Sequence, residues 1–359
     1  MNILMLSIDK NILVEGSSAH RRMLEYGSLF EELHIVVYTP ERTSHTSTYG
    51  NVFIYPSSGF SKIMYFWNTY RICKQIIRSR SDMFITSQDA LTNFLGMLLK
   101  SLFRGTRLQV QIHTDFLSKN FKQESFLNVL RYFGYVWGIK YADCIRVVSD
   151  DLKDKISKQF KIDLEKIIVL PIFVDIEHFK GEAHNINLKK KYPDFSYIFL
   201  IVSRLSSEKS IPLALEGMKD IVGNHEGVGL VIVGNGPEKR NLEKMVEEFG
   251  IEQYVFFLGW SEDPSDYFKT ADAVLVTSEY EGYGITIIEA LAAGKPVLAR
   301  NVGVAKEAGA VVTTKKDFAK SMINFVDTDK RTGQLEKYPF KTKQEFLEKF
   351  KKSFEICQK

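Results

Sequence analysis

Two glutamates flank a glycine-containing loop in the second half of the chain. Glu281 and Glu289 are eight positions apart, and Gly282 and Gly284 follow the first of them. Glycines let a backbone approach a ligand closely, and the N–H groups that open a helix at residues 285–286 favour an anion. We therefore predict a phosphate site in this loop, with the two carboxylates binding hydroxyl groups of the same ligand.

The pattern around this loop is strand, loop, helix and strand. An apolar run at residues 273–276 precedes the loop, and a helix-like segment follows it. Gly294 and Pro296 end that segment before a second apolar run. A glycine-rich turn of this kind is common in α/β proteins, so this motif alone leaves a plain structural turn open.

Two cations follow another apolar run upstream. Residues 197–202 predict a strand, after which come Arg204 and, five positions later, Lys209. Fixed cations at the carboxyl end of a strand can neutralise a diphosphate, with the planar arginine fork and the compact lysine charge serving adjacent phosphates. The alternative is that both are ordinary surface charges on a loop.

Four motifs occur in one order: 203–209, 233–237, 257–260 and 281–297. Together they resemble the signature of family 4 retaining glycosyltransferases, the glycosyl transferases of group 1. This resemblance implies an α/β protein of the GT-B fold, with two Rossmann-like domains facing each other across a cleft. It also implies an acceptor on the first domain, a nucleotide sugar on the second, and retention of configuration without an obligatory metal.

The resemblance also implies roles for individual residues. Arg204 and Lys209, with the loop backbone, would hold the diphosphate; Glu281 would bind a hydroxyl of the donor sugar, and Glu289 the ribose hydroxyls. The catalytic candidates are His113, Arg204, Lys209 and Glu281. The donor-binding candidates are Gly16, Arg204, Lys209, Gly234, Gly236, Trp260, Glu281, Gly282, Tyr283, Gly284, Ile285, Thr286 and Glu289.

Three of these candidates depend most on the resemblance. The family carries a loop with paired glycines after the first strand, whereas Gly16 is single here, so a plain turn is the alternative. His113 ends a predicted strand where the family has a histidine near the donor sugar; an isolated histidine is more often structural. Trp260 either packs near the nucleotide base or is a buried core residue.

Composition limits the classes of protein and partner. The chain has 359 residues, enough for two domains, and a formal net charge of +4. This charge suits an anionic substrate or membrane surface and is too weak to indicate nucleic acid. Cys73, Cys144 and Cys357 are odd in number and far apart, so we expect neither a disulfide framework nor a metal cluster. This cysteine usage also predicts a reducing compartment.

Localisation and domain boundaries follow from the apolar and polar runs. The apolar N-terminus predicts a buried strand rather than a leader, and no run approaches the roughly 18 residues of a membrane span. We expect a cytoplasmic protein. A polar stretch at 178–193 predicts domains at 1–177 and 178–340, with a helix in 341–359 that packs back on the first domain.

The segment 60–80 is rich in aromatic and basic residues. An amphipathic helix of this composition sits on an anionic bilayer, which would place the protein at the inner face of the membrane. The alternative is a helix packed on the sheet with a basic outer rim. Both interpretations stay open at the level of the sequence.

The expected function is transfer of a hexosyl group from a nucleotide-diphosphate sugar to a glycan, glycolipid or other hydroxyl acceptor, in polysaccharide or glycolipid assembly. The nucleotide sugar is a co-substrate, and we expect no separate cofactor or metal; the aspartates at 327 and 329 predict a solvated turn. Two alternatives are a nucleotide-sugar epimerase and a catalytically idle nucleotide-binding homologue or partner subunit. The single Gly16 and the short loop after Glu307 motivate the latter.

Overall fold

The computed structural model of the chain describes residues 1–39, 46–59, 61–80 and 82–357. They form two compact units, one of Met1–Pro171 with Thr342–Lys359 and one of Ile172–Lys341. Each unit is built on one sheet of mainly parallel strands. Their buried strands are almost continuously apolar, as in Ile3–Leu6, because helices cover both faces of such sheets.

The first unit contains an eight-stranded sheet in the order β3-β4-β2-β1-β5-β6-β7-β8. All pairings are parallel except that of β3 with β4. Its strands are β1 (Asn2–Ser7), β2 (Glu32–Tyr38), β3 (Ser47–Tyr49), β4 (Val52–Ser57), β5 (Met83–Ser87), β6 (Arg107–Ile112), β7 (Cys144–Val147) and β8 (Ile167–Val169). The helices between them are α1 (Ser18–Gly27), α2 (Lys62–Ser79), α3 (Ala90–Leu102), α4 (Lys119–Glu124), α5 (Phe126–Tyr141) and α6 (Asp150–Phe160).

The second unit contains a six-stranded parallel sheet in the order β11-β10-β9-β12-β13-β14. Its strands are β9 (Tyr197–Val202), β10 (Val228–Val233), β11 (Val255–Gly259), β12 (Ala273–Val276), β13 (Val297–Arg300) and β14 (Val311–Thr313). Its helices are α7 (Ile176–Phe179), α8 (Leu188–Lys191), α9 (Pro212–Val222), α10 (Lys239–Phe249), α11 (Ser265–Thr270), α12 (Ile285–Ala292), α13 (Ala305–Ala308) and α14 (Phe318–Asp327).

The chain returns to the first unit through its last helix, α15 (Lys343–Ile356). Phe350 stacks on Tyr26 with ring centroids 4.4 Å apart, and Phe354 meets Phe30 and Phe84 at 5.2 and 5.3 Å. Burial of these rings is the main stabilising term for the helix. The sequence predicted such a helix.

The structure corrects the expectation about the cysteines. Cys144 of β7 and Cys357 after α15 form a disulfide, with Cα atoms 5.1 Å apart. The two are 213 positions apart in the chain, and only the packing of α15 brings them together. The argument from unpaired cysteines for a reducing compartment therefore loses its basis. Cys73 is a free, buried thiol.

The boundary between the units lies at residues 171–172 rather than at 177–178. The segment after Pro171 belongs to the second unit because it is tied there by its backbone and its side chains. The Tyr338 hydroxyl donates to the Val174 carbonyl over 3.0 Å, and Phe173 packs on Phe340 at 6.4 Å. Polar composition at 178–193 therefore marks a surface of the second unit rather than its edge.

Two further observations concern membranes and metals. Across the described residues, no helix combines the length and the apolar character that crossing a bilayer requires. Within the same residues, no three His, Cys, Asp or Glu side chains are grouped as a metal ion would need. Phe60, the first residue of the aromatic and basic segment, lies outside the described residues; residues 62–79 form α2.

Candidate functional site

The candidate site lies where the strand order of the second sheet reverses. From β9 the chain moves to β10 and β11 on one side, whereas β12, β13 and β14 lie on the other. The loops that follow β9 and β12 therefore leave the same edge in opposite directions. Open α/β sheets bind ligands at such switch points. The first loop carries Arg204 and Lys209, and the second carries Glu281.

Lys209 and Glu281 meet directly at this point. Lys209 Nζ donates to Glu281 Oε1 over 2.5 Å, and Ser278 Oγ donates to the same oxygen over 2.7 Å. Both charged side chains are mostly buried. Thr277 Oγ1 donates to the Lys209 carbonyl over 2.5 Å, which fixes the lysine backbone beside the second loop. The structure thus joins two motifs that lie 72 positions apart in the chain.

Arg204 is held more loosely. Its Nη2 donates to Glu208 Oε1 over 2.5 Å and its Nε to Ser206 Oγ over 3.2 Å, yet its side chain is 69% exposed. Burial alone would raise the pKa of Glu208, but hydrogen bonds from Ser206 and Arg204 outweigh it and lower that pKa. Sequence reasoning missed Glu208, although its four-residue spacing from Arg204 was a signal.

The loop of residues 282–286 presents backbone rather than side chains. Gly284 precedes α12 in a left-handed conformation, with φ of 92°, and provides no side-chain cap. The Thr286 hydroxyl donates to the Val202 carbonyl over 3.3 Å, so it is engaged by the sheet. Among the described residues no side chain caps the start of α12, so its first N–H groups, at Ile285 and Thr286, face a ligand site.

Ser203 adds a polar group that sequence reasoning missed. Its Oγ is buried and has no hydrogen-bond partner among the described residues. It lines the same small pocket as Lys209, Glu281, Gly284 and Thr286. Buried hydroxyls normally have a partner, so this oxygen is a candidate to bind a ligand atom.

Gly234 and Gly236 lie against the backbone of the loop that carries Arg204. A Cβ at Gly234 would lie 1.8 Å from the Ser203 carbonyl oxygen, and one at Gly236 would lie 2.2 Å from that of Leu205. The Leu205 N–H also donates to the Asn235 carbonyl over 3.0 Å. This geometry favours a positioning role for the two glycines.

A third glycine, at 303, supports Tyr283 in the same way. A Cβ there would lie 2.1 Å from the Tyr283 carbonyl oxygen, and the next residue, Val304, donates its N–H to that oxygen over 2.9 Å. Tyr283 is buried, and this burial raises the pKa of its hydroxyl. The segment of Gly303 and Val304 therefore supports the backbone of the loop.

Glu289 lies within α12, whereas Glu281 lies in the loop before that helix. Burial, with a contribution from Asp263, raises the pKa of Glu289 to about 7, while His178 acts in the opposite direction. His178 Nε2 lies 2.9 Å from Asp263 Oδ2, which places these two groups together. Near neutral pH, Glu289 is therefore divided between its acid and its carboxylate forms.

This pKa predicts a pH-dependent stability. A carboxyl whose pKa is raised in the folded state stabilises that state fully below its ordinary value of 4.5, and the stabilisation is lost as pH rises through about 7. It amounts to at most about 3 kcal/mol. We expect Glu289→Gln to unfold at higher urea concentration than the wild type at pH 8, with a smaller difference at pH 5.

The control for this urea titration is Glu243→Gln, on the partly exposed face of α10. It should track the wild type at both pH values. Equal pH dependence of the wild type and Glu289→Gln would contradict the raised pKa.

Trp260 is not a core residue. It follows β11 at the same edge of the sheet, and its side chain is 72% exposed. The alternative of a buried core tryptophan is therefore wrong. Its ring is accessible for stacking.

Gly16 and His113 belong to the first unit, after β1 and β6. Gly16 has φ of 76°, which favours glycine, and its carbonyl accepts a 2.7 Å bond from Arg21 Nη1. His113 Nε2 is buried without a partner among the described residues. Burial, helped by Arg146 and Arg22, lowers the pKa of His113 to about 3. At neutral pH this imidazole is uncharged.

Comparison with known proteins identifies the family. Residues 30–178 match the family described as Glycosyltransferase Family 4, and residues 184–339 match Glycosyl transferases group 1. The chain belongs to the group 1, family 4 glycosyltransferases. The family resemblance inferred from the four motifs is thereby confirmed.

Several curated relatives of this glycosyltransferase have named activities, including the following two. One is the alpha-monoglucosyldiacylglycerol synthase of Streptococcus pneumoniae, 31% identical over 42% of the chain and 36% of the relative. The other is the UDP-Gal:alpha-D-GlcNAc-diphosphoundecaprenol alpha-1,3-galactosyltransferase of Escherichia coli, 24% identical over 71% of the chain and 66% of the relative. In both, the match spans less than two thirds of the relative's length.

The fold of this glycosyltransferase is also that of solved structures. Anabaena HepE in complex with UDP and glucose superposes with a TM-score of 0.72 at 18% identity, over 100% of this chain and 97% of that one. At this identity the similarity concerns the fold alone. The expected class, an α/β protein of the GT-B type with two Rossmann-like units, is confirmed.

Proposed function

We propose that this glycosyltransferase moves a hexosyl group from a nucleotide-diphosphate sugar to a hydroxyl acceptor with retention of configuration. The observation that carries the proposal is the convergence of Lys209, Arg204 and the free start of α12 at the switch point of the second sheet. A lysine and a helix N-terminus at one small pocket, with the exposed Arg204 on the same loop as that lysine, suit a diphosphate.

Both cations are paired with carboxylates, so binding of the donor requires an exchange of partners. The diphosphate replaces Glu281 on Lys209 and Glu208 on Arg204. Glu281, still hydrogen-bonded by Ser278, then becomes free to accept from a hydroxyl of the donor sugar. The buried Ser203 hydroxyl supplies another donor to a phosphate oxygen.

The proposed reaction places most of the catalysis on the leaving group. The bond between the anomeric carbon and the phosphate oxygen breaks while the acceptor oxygen bonds that carbon from the same face, and the acceptor proton passes to the departing phosphate. Lys209, Arg204 and the α12 N–H groups stabilise the growing diphosphate charge. The uncharged His113 contacts the sugar or the acceptor as a hydrogen-bonding group, and no step requires a metal.

Glu289 gives the proposed donor site a pH dependence. Its carboxylate form accepts hydrogen bonds from both ribose hydroxyls more strongly than the neutral acid does. With a pKa of about 7 in the unliganded protein, donor affinity rises as pH passes through that value. Trp260, exposed at the same edge of the sheet, is the proposed platform for the base.

The relatives suggest which donors and acceptors to examine first. The E. coli relative is named for UDP-Gal and for a diphosphoundecaprenol acceptor, and the S. pneumoniae relative for a diacylglycerol lipid. HepE was solved with UDP. We therefore propose a uridine nucleotide sugar as donor and a lipid-linked glycan or glycolipid as acceptor, with the enzyme working at a membrane surface.

The test is thermal stabilisation by a panel of nucleoside diphosphates and nucleotide sugars, in EDTA and then with Mg²⁺. A nucleotide present at a hundredfold its dissociation constant should add about 2.7 kcal/mol to the free energy of unfolding. We expect one nucleotide to stabilise the wild type without metal, and the Arg204→Ala/Lys209→Ala variant to lose this effect.

The matched control is Lys244→Ala/Lys320→Ala, which removes two exposed lysines from helices of the same unit. It should keep the full shift. No shift with any nucleotide would contradict the donor site. Stabilisation without sugar transfer to any lipid-linked acceptor would instead favour an idle nucleotide-binding homologue.

A further inference from the structure

The outward face of α5 is aromatic where a polar face is expected. Five residues spaced three or four apart form one stripe along it, because residues at that spacing share a helix face. Their exposed fractions are 75% for Phe126, 53% for Leu130, 47% for Phe133, 44% for Trp137 and 43% for Tyr141. A helix packed on a sheet normally exposes its charged face to water.

The packing of α5 fixes this stripe outward. Beside the stripe, a Cβ at Gly134 would lie 2.4 Å from the Ala90 carbonyl oxygen, and one at Gly138 would lie 2.7 Å from Asn93 Cβ. The two glycines therefore let α5 approach α3 closely. No rotation of α5 can bury the aromatic stripe without forcing large side chains into that contact.

The stripe continues onto the neighbouring helices. The ring centroid of Phe94 on α3 lies 5.4 Å from that of Trp137 and 6.1 Å from that of Phe66 on α2. The next residue on α2, Trp67, is itself 57% exposed. We call Trp67, Phe94, Phe126, Phe133 and Trp137 the aromatic surface. Contiguous exposed patches of this kind mark interaction sites.

Charge on these three helices has one sign. The sequences of α2, α3 and α5 contain no Asp or Glu. Arg71, Lys74 and Arg78 line an open groove on α2, and none of them forms an ion pair with a described residue. Basic residues beside exposed aromatic rings suit the headgroup region of an anionic bilayer, where rings enter the interface and cations meet phosphates.

We infer that the aromatic surface docks the first unit on an anionic lipid bilayer, with the α2 cations bound to lipid headgroups. A second copy of the chain fits less well, because a symmetric interface would bring like charges together. The inference does not depend on the donor chemistry. It extends the sequence interpretation of residues 60–80, since most of the exposed aromatic residues on these helices, Phe126, Phe133, Trp137 and Tyr141, lie on α5.

The test uses two of the three tryptophans as probes. Trp67 and Trp137 belong to the aromatic surface, whereas Trp260 lies in the second unit. In the Trp260→Phe variant, all tryptophan fluorescence therefore arises from the surface. We expect vesicles of phosphatidylcholine and phosphatidylglycerol with brominated acyl chains to quench it strongly, and pure phosphatidylcholine vesicles to quench it far less. No quenching by either would overturn the inference.

Flotation with the same vesicles separates the two parts of the surface. Phe133→Ser/Trp137→Ser should lower the constant for partitioning onto the vesicles at least about tenfold at any salt concentration. Arg71→Gln/Lys74→Gln/Arg78→Gln should weaken vesicle binding at low salt. At high salt it should have little effect, because salt already screens the attraction between these cations and the headgroups. Leu164→Ser, at an exposed leucine elsewhere in the first unit, is the control.

Two further outcomes would overturn the inference while leaving the proposed function intact. The first is equal flotation of wild type and Phe133→Ser/Trp137→Ser. The second is a vesicle-free dimer, measured by light scattering, that Phe133→Ser/Trp137→Ser converts to monomer. Cooperative urea unfolding, followed by circular dichroism, reports folding of each flotation variant, and thermal stabilisation by the donor nucleotide reports the other unit separately. If that stabilisation fails in the wild type, the proposed function fails, and flotation still decides the inference.

Discussion

Lys209→Ala is expected to lower kcat/KM for sugar transfer by about a thousandfold, at the upper end for loss of one group that stabilises developing charge. Lys209 Nζ is fixed against Glu281 and lies beside the start of α12, where the diphosphate would sit. Arg204→Ala should cost less, because Arg204 is largely exposed and held only by its own loop. Lys244→Ala should behave as wild type.

A loss of activity in Lys209→Ala has a structural explanation that must be separated from the catalytic one. The substitution leaves Glu281 mostly buried without its cation, and an uncompensated buried charge destabilises a fold. The double variant Lys209→Ala/Glu281→Gln removes both charges. Its urea midpoint should return toward that of the wild type while its turnover remains low. Turnover of Lys209→Ala within tenfold of the wild type would contradict the role of Lys209.

The strands and motifs of the second unit could be predicted because each is encoded locally. Apolar runs of four to six residues predicted β9, β10 and β12, and Gly284 predicted the turn before α12. The placement of the site at the carboxyl ends of these strands also follows in outline, since a family motif followed each strand. The order in which strands pair, and the shortness of β3 and β14, depend on contacts that no single segment contains.

The contacts missing from the sequence interpretation depend on how the chain closes in three dimensions. The partner of Arg204 is set by how its turn closes, and the buried Ser203 hydroxyl becomes a candidate only when its surroundings are known. The Cys144–Cys357 disulfide exists because α15 returns to β7. The aromatic surface was equally hidden, since an apolar stripe on α5 predicts a buried face, and only the packing of Gly134 and Gly138 turns it outward.

Gly234→Ala is expected to destabilise the protein by about 3 kcal/mol and to abolish stabilisation by the donor nucleotide. Gly234 has φ of 147°, a conformation that side-chain-bearing residues rarely adopt. A Cβ there would lie 1.8 Å from the Ser203 carbonyl oxygen, a distance that no rotamer can relieve because the Cβ position is fixed by the backbone. The urea midpoint measures the first effect, and thermal stabilisation measures the second.

The comparison with Gly223→Ala separates backbone strain from loss of the fold. Gly223 lies at the end of α9 with φ of −74°, and a Cβ there would have no neighbour within 4 Å. The free energy of unfolding of that variant should equal that of the wild type or exceed it by up to about 1 kcal/mol, since alanine restricts the unfolded chain.

In Gly234→Ala, the backbone of residues 203–205 must move to admit the methyl group, and Arg204 and the Ser203 hydroxyl move with it. Donor binding should therefore fall by more than the lost stability explains at temperatures where the variant is still folded. Full donor stabilisation in a folded Gly234→Ala protein would show that the loop after β9 need not be held in place.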